Sequence, residues 1–432
     1  MAYVPVAFIL AGMTAYTVLA GADFGAGLWT LLAAGRSPRA AAIRDHARHA
    51  MGPVWEANHV WLIFVLVVCW TGYPVAFGSI TSTLAAPLLI AAIGIIFRGA
   101  AYALRGAAGP SRLAENLLGA GSLITPFALG TAIGAIALGR VPVGNALGNP
   151  VTSWLNPGSV LVGVLAVAFS GYLAAVYLAA DAVRFSSERT MASLFRTRAL
   201  WAGVASGALA LAGVLVMRSS GLDLLRGLAL VFVVVSGVAG LGTLLLCWAW
   251  QFGLARLTAA LAVAAVVVGW AVAQAPRLLP GLTVVQAAAG PSTLLAIVIA
   301  VCGGAVVLVP SLVLLFTLFL RGRLDTPEHP VSEAEEFPGG APVPGAAGAG
   351  AGAAGAGAGA PGASRVSTAP DASDPSRVRG WGGGAIVGLV GGTVLLVFSD
   401  AAWAHAIGAL LLVLCAVSVF TLAAPGPGSD KE

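Results

Sequence analysis

Charge is scarce in this sequence. Only 9% of its 432 residues are Asp, Glu, Lys or Arg, 59% are apolar, and mean hydropathy is +0.95. Soluble domains carry roughly a quarter charged residues, so soluble nucleotide-binding and barrel enzymes are excluded. Lysine is nearly absent: Lys431 stands alone against 21 arginines. The formal +5 is therefore not read as a phosphate-binding surface, and nucleic acid is excluded as a partner. Cysteine is sparse too. Cys69, Cys247, Cys302 and Cys415 lie singly in apolar runs without CxxC spacing, which argues against a disulfide framework and for small buried hydrophobes. The N-terminus lacks a basic n-region and a small-residue cleavage site, so its apolar stretch reads as a retained first span.

Long uncharged runs are abundant, and a membrane span needs roughly 20 apolar residues. The chain reads as an all-α polytopic membrane protein, with spans expected at about 4–33, 57–73, 75–97, 116–138, 159–181, 199–217, 227–250, 256–275 and 292–320. The 41-residue run from Ala57 to Phe97 exceeds one helix, and Gly72-Tyr73-Pro74 is expected to split it. Loops rich in Gly, Pro and Asn, about 141–158 and 276–291, lie on one side. Arginines lie mostly on the other: 14 of the first 18 follow odd-numbered spans. The positive-inside rule then puts the N-terminus outside and the odd span exits in the cytoplasm, with anionic lipid a natural contact.

Four segments follow from composition: a nine-span core at 1–323, a Pro/Gly/Ala-rich cytoplasmic linker at 324–380 too poor in apolar bulk to fold, an added transmembrane hairpin at 381–424 turning near Ser399-Asp400, and a polar tail at 425–432. The C-terminus is then cytoplasmic.

An ionisable residue inside a span is the default functional candidate, because its insertion costs free energy. Asp23 lies about ten residues from the cytoplasmic end of the first span, flanked by Gly21, Gly25 and Gly27. It reads either as a proton-relay carboxylate or as a structural acid paired with a basic or hydroxyl group. Glu56 stands where the chain enters the second span, in Gly52-Pro53-Val54-Trp55-Glu56-Ala57-Asn58-His59-Val60-Trp61-Leu62. It reads as a proton-collecting carboxylate at a polar mouth, or as a helix-start anchor between the belt residues Trp55 and Trp61. Arg98 reads as a snorkelling residue ending the third span, as a partner to Glu56 or Asp23, or as a clamp on an anionic group at the cytoplasmic side. Asp181, in Leu178-Ala179-Ala180-Asp181, echoes Leu19-Ala20-Gly21-Ala22-Asp23 and hints at two related halves. Haem needs an axial ligand held within a span. Of the five histidines His46 and His49 fall in a loop, His329 in the linker, His59 near an interface and His405 in the hairpin, so this chain is expected to bind no haem and no metal.

Those residues also carry a resemblance. Asp23-Phe24-Gly25-Ala26-Gly27, the segment Gly52 to Leu62, Phe97-Arg98-Gly99 and Leu282-Thr283-Val284-Val285-Gln286-Ala287-Ala288-Ala289 with Thr293-Leu294 resemble subunit II of the cytochrome bd-type quinol oxidases over residues 1–323. The resemblance implies two four-helix bundles plus a peripheral helix. It also implies a partner subunit I holding haems b and d and the quinol site, and a complex that oxidises quinol and reduces dioxygen to water with protons from the cytoplasm. It places the family's proton-pathway acid on Glu56, where many members have Asp, and puts Asp23 on the second acid of a pair whose first is here Ala20. The expected function is a haem-free second subunit of a respiratory terminal oxidase in a bacterial cytoplasmic membrane. Glu56 and Asp23 form its proton pathway, and Trp55, Asn58, Trp61 and Arg98 are their supporting shell. A structural quinone and a small accessory subunit stay open, as do a proton-coupled secondary carrier and a purely scaffolding subunit.

Overall fold

The computed structural model describes residues 1–33, 35, 37–51, 55–108, 112–186 and 189–320, omitting the side chains of 49–51, 55–57, 103–108, 112–113, 185–186 and several positions beyond 308. The expected linker, added hairpin and tail lie outside the described residues. Two compact units divide the chain, Met1–Val301 and a second beginning at Cys302, whose described part is the C-terminal portion of the last helix.

The described residues are mostly helical. Its helices are α1 (Val4–Leu32), α2 (Pro38–Met51), α3 (Trp55–Gly72), α4 (Pro74–Thr83), α5 (Ala85–Ala108), α6 (Arg112–Ala137), α7 (Pro157–Asp181), α8 (Arg189–Ser219), α9 (Gly227–Trp248), α10 (Phe252–Gln274), α11 (Val284–Ala287) and α12 (Pro291–Leu320). Among the described residues eight helices are long and apolar enough to cross a membrane, and Asn58–Gly72 is a shorter apolar helix. In the first unit α1 packs against α3, α6, α7 and α10, α5 pairs with α6, and α8, α9 and α10 pack in sequence beside α7. Buried alanines line these contacts, among them Ala20, Ala128, Ala174, Ala175, Ala199 and Ala259. Small side chains let helix backbones approach where lipid offers no hydrophobic drive to associate.

The third span differs from its expected form. One helix over 75–97 is replaced by α4 and α5, broken at Leu84, whose φ is −103° and ψ 24°. Pro87 lies four residues after Thr83, so it has no N–H for the Thr83 carbonyl and its ring crowds that turn. Ser79, Thr81 and Ser82 also donate back to the carbonyls of Val75, Phe77 and Gly78 at 2.7, 2.8 and 2.7 Å, a pattern that bends helices. The spanning helix therefore begins at Ala85, ten residues later than expected.

Two further elements were not expected. The arginine-rich segment after α1 forms the amphipathic α2, started by Ser37, whose Oγ accepts from Ala40 N, with Ala40, Ile43 and Ala47 buried on one stripe. His46, assigned to a loop, is on this helix, with Nε2 2.9 Å from the Leu178 carbonyl oxygen. The loop after α10 contains a small antiparallel hairpin, β1 (Arg277–Leu279) and β2 (Leu282–Thr283), and a capping box between Thr283 and Gln286 that starts α11. Leu279, Leu282 and Val284 bury against Tyr73, Val141 and Trp154 at the end of the molecule opposite α2. There the Tyr73 hydroxyl donates to the Ala2 carbonyl at 2.5 Å, and burial pushes the phenol pKa up to about 12.

Asn156 caps α7: its Oδ1 accepts from Ser159 N at 3.0 Å while Nδ2 donates to Ser153 O at 2.9 Å. Asn156→Ala is expected to cost about 1 kcal/mol and to lower the apparent Tm of the purified protein. Asn156→Asp, which keeps the accepting oxygen, should retain most of that stability, and equal losses in the two variants would contradict the capping role.

Candidate functional site

The site is built on α1 from residues that cannot stand back from their neighbours. Every residue from Ala20 to Gly27 is buried. A Cβ on Gly25 would lie 1.8 Å from the Ser170 carbonyl oxygen of α7, and one on Gly27 would lie 1.9 Å from Ser122 Oγ of α6. These two glycines bring α7 and α6 onto α1 around Asp23.

Asp23 is 1% exposed and Arg98 of α5 is wholly buried. Arg98 Nη2 lies 2.6 Å from Asp23 Oδ1, Nη1 donates to Ser122 Oγ, and the guanidinium carbon sits 4.9 Å from the centroid of the Phe24 ring. Ser122 Oγ in turn donates to the Leu118 carbonyl at 2.6 Å. An isolated charge here would be very costly, and the pair stands because each charge compensates the other within hydrogen-bonding distance. The snorkelling reading of Arg98 is thus corrected. Because α5 begins at Ala85, Arg98 stands about 20 Å along that helix rather than at its end. The structure selects the reading as partner to Asp23.

On the far side of the pair Tyr16, Phe24 and His59 form an aromatic cluster, with His59 centroids 6.1 and 6.2 Å from Tyr16 and Phe24. Trp61 packs on the same residues, and Asn58 Nδ2 reaches the Leu19 carbonyl at 3.4 Å. Asn58 and Trp61 therefore both contact α1, the helix that carries Asp23. Trp55 and Glu56 begin α3, but their side chains lie outside the described residues. On the near side a narrow cleft touches Asp23, Gly27 and Thr30 of α1, Arg44 and Arg48 of α2 and Tyr102 of α5. Ser122, Tyr16, Thr30 and Arg44 were missed by the sequence reading. A hydroxyl in an apolar run was the available signal for three of them, Tyr16, Thr30 and Ser122.

Asp181, singled out for its echo of Asp23, pairs with Arg256, whose Nη2 also donates to the Tyr177 carbonyl at 3.0 Å. A cation there also complements the C-terminal end of α7. This pair is less buried than the first, at 14% and 27% side-chain exposure, and it lies outside the Asp23 cluster.

The described residues hold no group of three or more His, Cys, Asp or Glu placed to bind a metal.

An all-α chain of long apolar helices with an ion pair buried among them is a multi-pass membrane protein. The chain belongs to the cytochrome bd terminal oxidase subunit II family, whose model matches residues 1–319. It is 28% identical over 151 residues to cytochrome bd ubiquinol oxidase subunit 2 of Bacillus subtilis (strain 168), a match covering 34% of this chain and 43% of that protein. The chain thus spans less than half the length of this curated relative. Its fold is similar to a chain of the bd oxidase from Geobacillus thermodenitrificans, with a TM-score of 0.60 and 24% identity, covering 74% of this chain and 98% of that one.

Proposed function

We propose that this chain is the haem-free second subunit of a quinol-oxidising, dioxygen-reducing complex. It braces a haem-bearing partner and takes up protons from the cytoplasmic side toward Asp23. The orientation follows the arginines: α2 and the starts of α6 and α8 are the cytoplasmic face, and the β1–β2 hairpin is the outer one. Residues 1–323 are its membrane core. The observation that carries the proposal is the buried acid Asp23 at the floor of a cleft that opens among arginines, in a chain of a terminal oxidase family.

Glu56, at the first turn of α3, is the entry acid in this reading, because a carboxylate at a membrane mouth exchanges protons with water and hands them inward. Replacing it with Gln in the assembled complex is expected to lower quinol-driven oxygen uptake about tenfold, the low end of what a charge at a mouth does for an on-rate, and to move the activity maximum to lower pH. Undiminished uptake with an unchanged pH profile would refute that role. One observation favours a scaffold instead: the 2.6 Å Asp23–Arg98 contact is the geometry of a structural pair. The same variant separates the two, since a scaffold loses assembly and haem content together with activity, whereas an entry acid loses activity per haem.

A further inference from the structure

Arg44 of helix α2 reaches over the end of α1. Arg44 Nη1 donates to the carbonyls of Ala33 and Gly35 at 2.8 and 3.1 Å, and its Nε lies 3.5 Å from Glu115 Oε1 on the first turn of α6. Beneath this clasp runs the cleft that ends on Asp23, passing Thr30, Gly27 and the ring of Tyr102. Leu118, one turn on from Glu115, forms part of its wall. We propose that this cleft is a proton entry to Asp23 separate from the start of α3, with Glu115 as its collecting carboxylate and Arg44 as the positioning residue that closes its mouth.

The assignment rests on the reading that this subunit takes up protons, and chemistry selects the residues. Arg44 and Arg48, which line the cleft, never release a proton and repel hydronium. A carboxylate is the group that can hold a proton at such a surface. Glu115 is 27% exposed, enough to exchange with bulk water, and it touches the residue that covers the cleft. Among the described residues Arg44 of α2 contacts Glu115, Arg48 of α2, itself paired with Asp45, and Tyr102 of α5 line the cleft beside it, and Asp23 and Arg98 lie at the floor. Thr30 donates to its own helix, at Ala26 O, which leaves its oxygen free to accept from water along the wall. Asp23 Oδ2 accepts no hydrogen bond from the described residues, so the floor keeps a lone pair for an arriving proton. Moving Arg44 off Glu115 and the Ala33 carbonyl is the motion that would widen the path.

The test uses the whole assembled complex. Glu115→Gln is expected to lower oxygen uptake per haem about tenfold and to shift the alkaline limb of the pH profile to lower pH. Glu115→Asp, which keeps the acid, should restore both, a rescue that a merely structural contact does not predict. Independently of activity, Thr30→Cys should react with a small cationic methanethiosulfonate added from the arginine-rich side, above the background of the four native cysteines, and faster when Arg44→Ala is combined with it. If Glu56→Gln loses activity while Glu115→Gln keeps turnover and profile, proton uptake stands and this entry does not. If both are without effect, the uptake reading falls and the entry with it. An inert Cys at position 30, with or without Arg44, also overturns the cleft as a path.

Discussion

Replacing Arg98 with methionine is expected to destabilise the protein by about 3–5 kcal/mol, the cost of leaving a buried charge without its partner. The reason is local. Asp23 and Arg98 side chains are each 1% exposed, so neither charge can recover hydration by turning toward water. Methionine matches much of the arginine's length and would fill the space over Phe24, which restricts the loss to charge and hydrogen bonding rather than to a cavity. Asp23→Leu should cost a similar amount by orphaning the guanidinium. The double variant Asp23→Leu/Arg98→Met is expected to regain most of the loss, because an apolar pair of similar volume replaces an ion pair with little net change. A double-mutant cycle on apparent Tm, with the yield of assembled complex beside it, measures the coupling. Additive losses would show that the two side chains do not depend on one another. Recovery of stability without recovery of turnover would show that the pair contributes to turnover beyond holding the fold.

Gly25→Ala is expected to be nearly as damaging, for a steric reason. Its new Cβ would meet the Ser170 carbonyl oxygen at 1.8 Å, the Ser170 carbonyl carbon at 2.4 Å and Ala174 Cβ at 2.6 Å. Backbone cannot swing aside as a side chain does, so α1 and α7 must separate along their shared face, and about 3 kcal/mol, the upper end of overpacking, is the expected loss. Gly21→Ala on the same helix is the control. Its Cβ would stand 3.4 Å from Leu173 Cδ1, and alanine favours the helix, so the expected change is small. Equal apparent Tm values for the two variants would mean that close approach at Gly25 is not what holds these helices together.

Asp23 was legible because a charge is conspicuous in an apolar run, and its glycine neighbours were legible as a place of close approach. Its partner was named only as an alternative. The reason lies in Pro87: placing the third span ten residues too early put Arg98 at a helix end, where snorkelling is the ordinary expectation. Helix α2 was hidden for another reason. Its stripe of Ala40, Ile43 and Ala47 is short and weakly apolar, and burial against the ends of other helices, not periodicity alone, makes it a helix. The β1–β2 hairpin has strands of three and two residues, too short for an alternating pattern, and depends on Leu279 and Leu282 finding a pocket. The Arg44–Glu115 contact joins positions 71 residues apart, a distance over which spacing says nothing.

The serines of α4 bear on the order in which the chain matures during synthesis. Ser79 and Ser82 each donate to their own helix, and their oxygens accept from the backbone N–H groups of Gly144 and Ala146, both at 2.9 Å. Those acceptor contacts cannot form until more than 60 further residues have left the ribosome, because the partners are 65 and 64 positions downstream. Until then the donors are already satisfied within the helix, so α4 can wait at the membrane without exposing an unpaired hydroxyl proton to lipid. Docking of the 141–156 segment on α4 is therefore a late event of biogenesis, and ribosome-bound chains released before residue 144 should leave α4 more open to protease than chains released after 156.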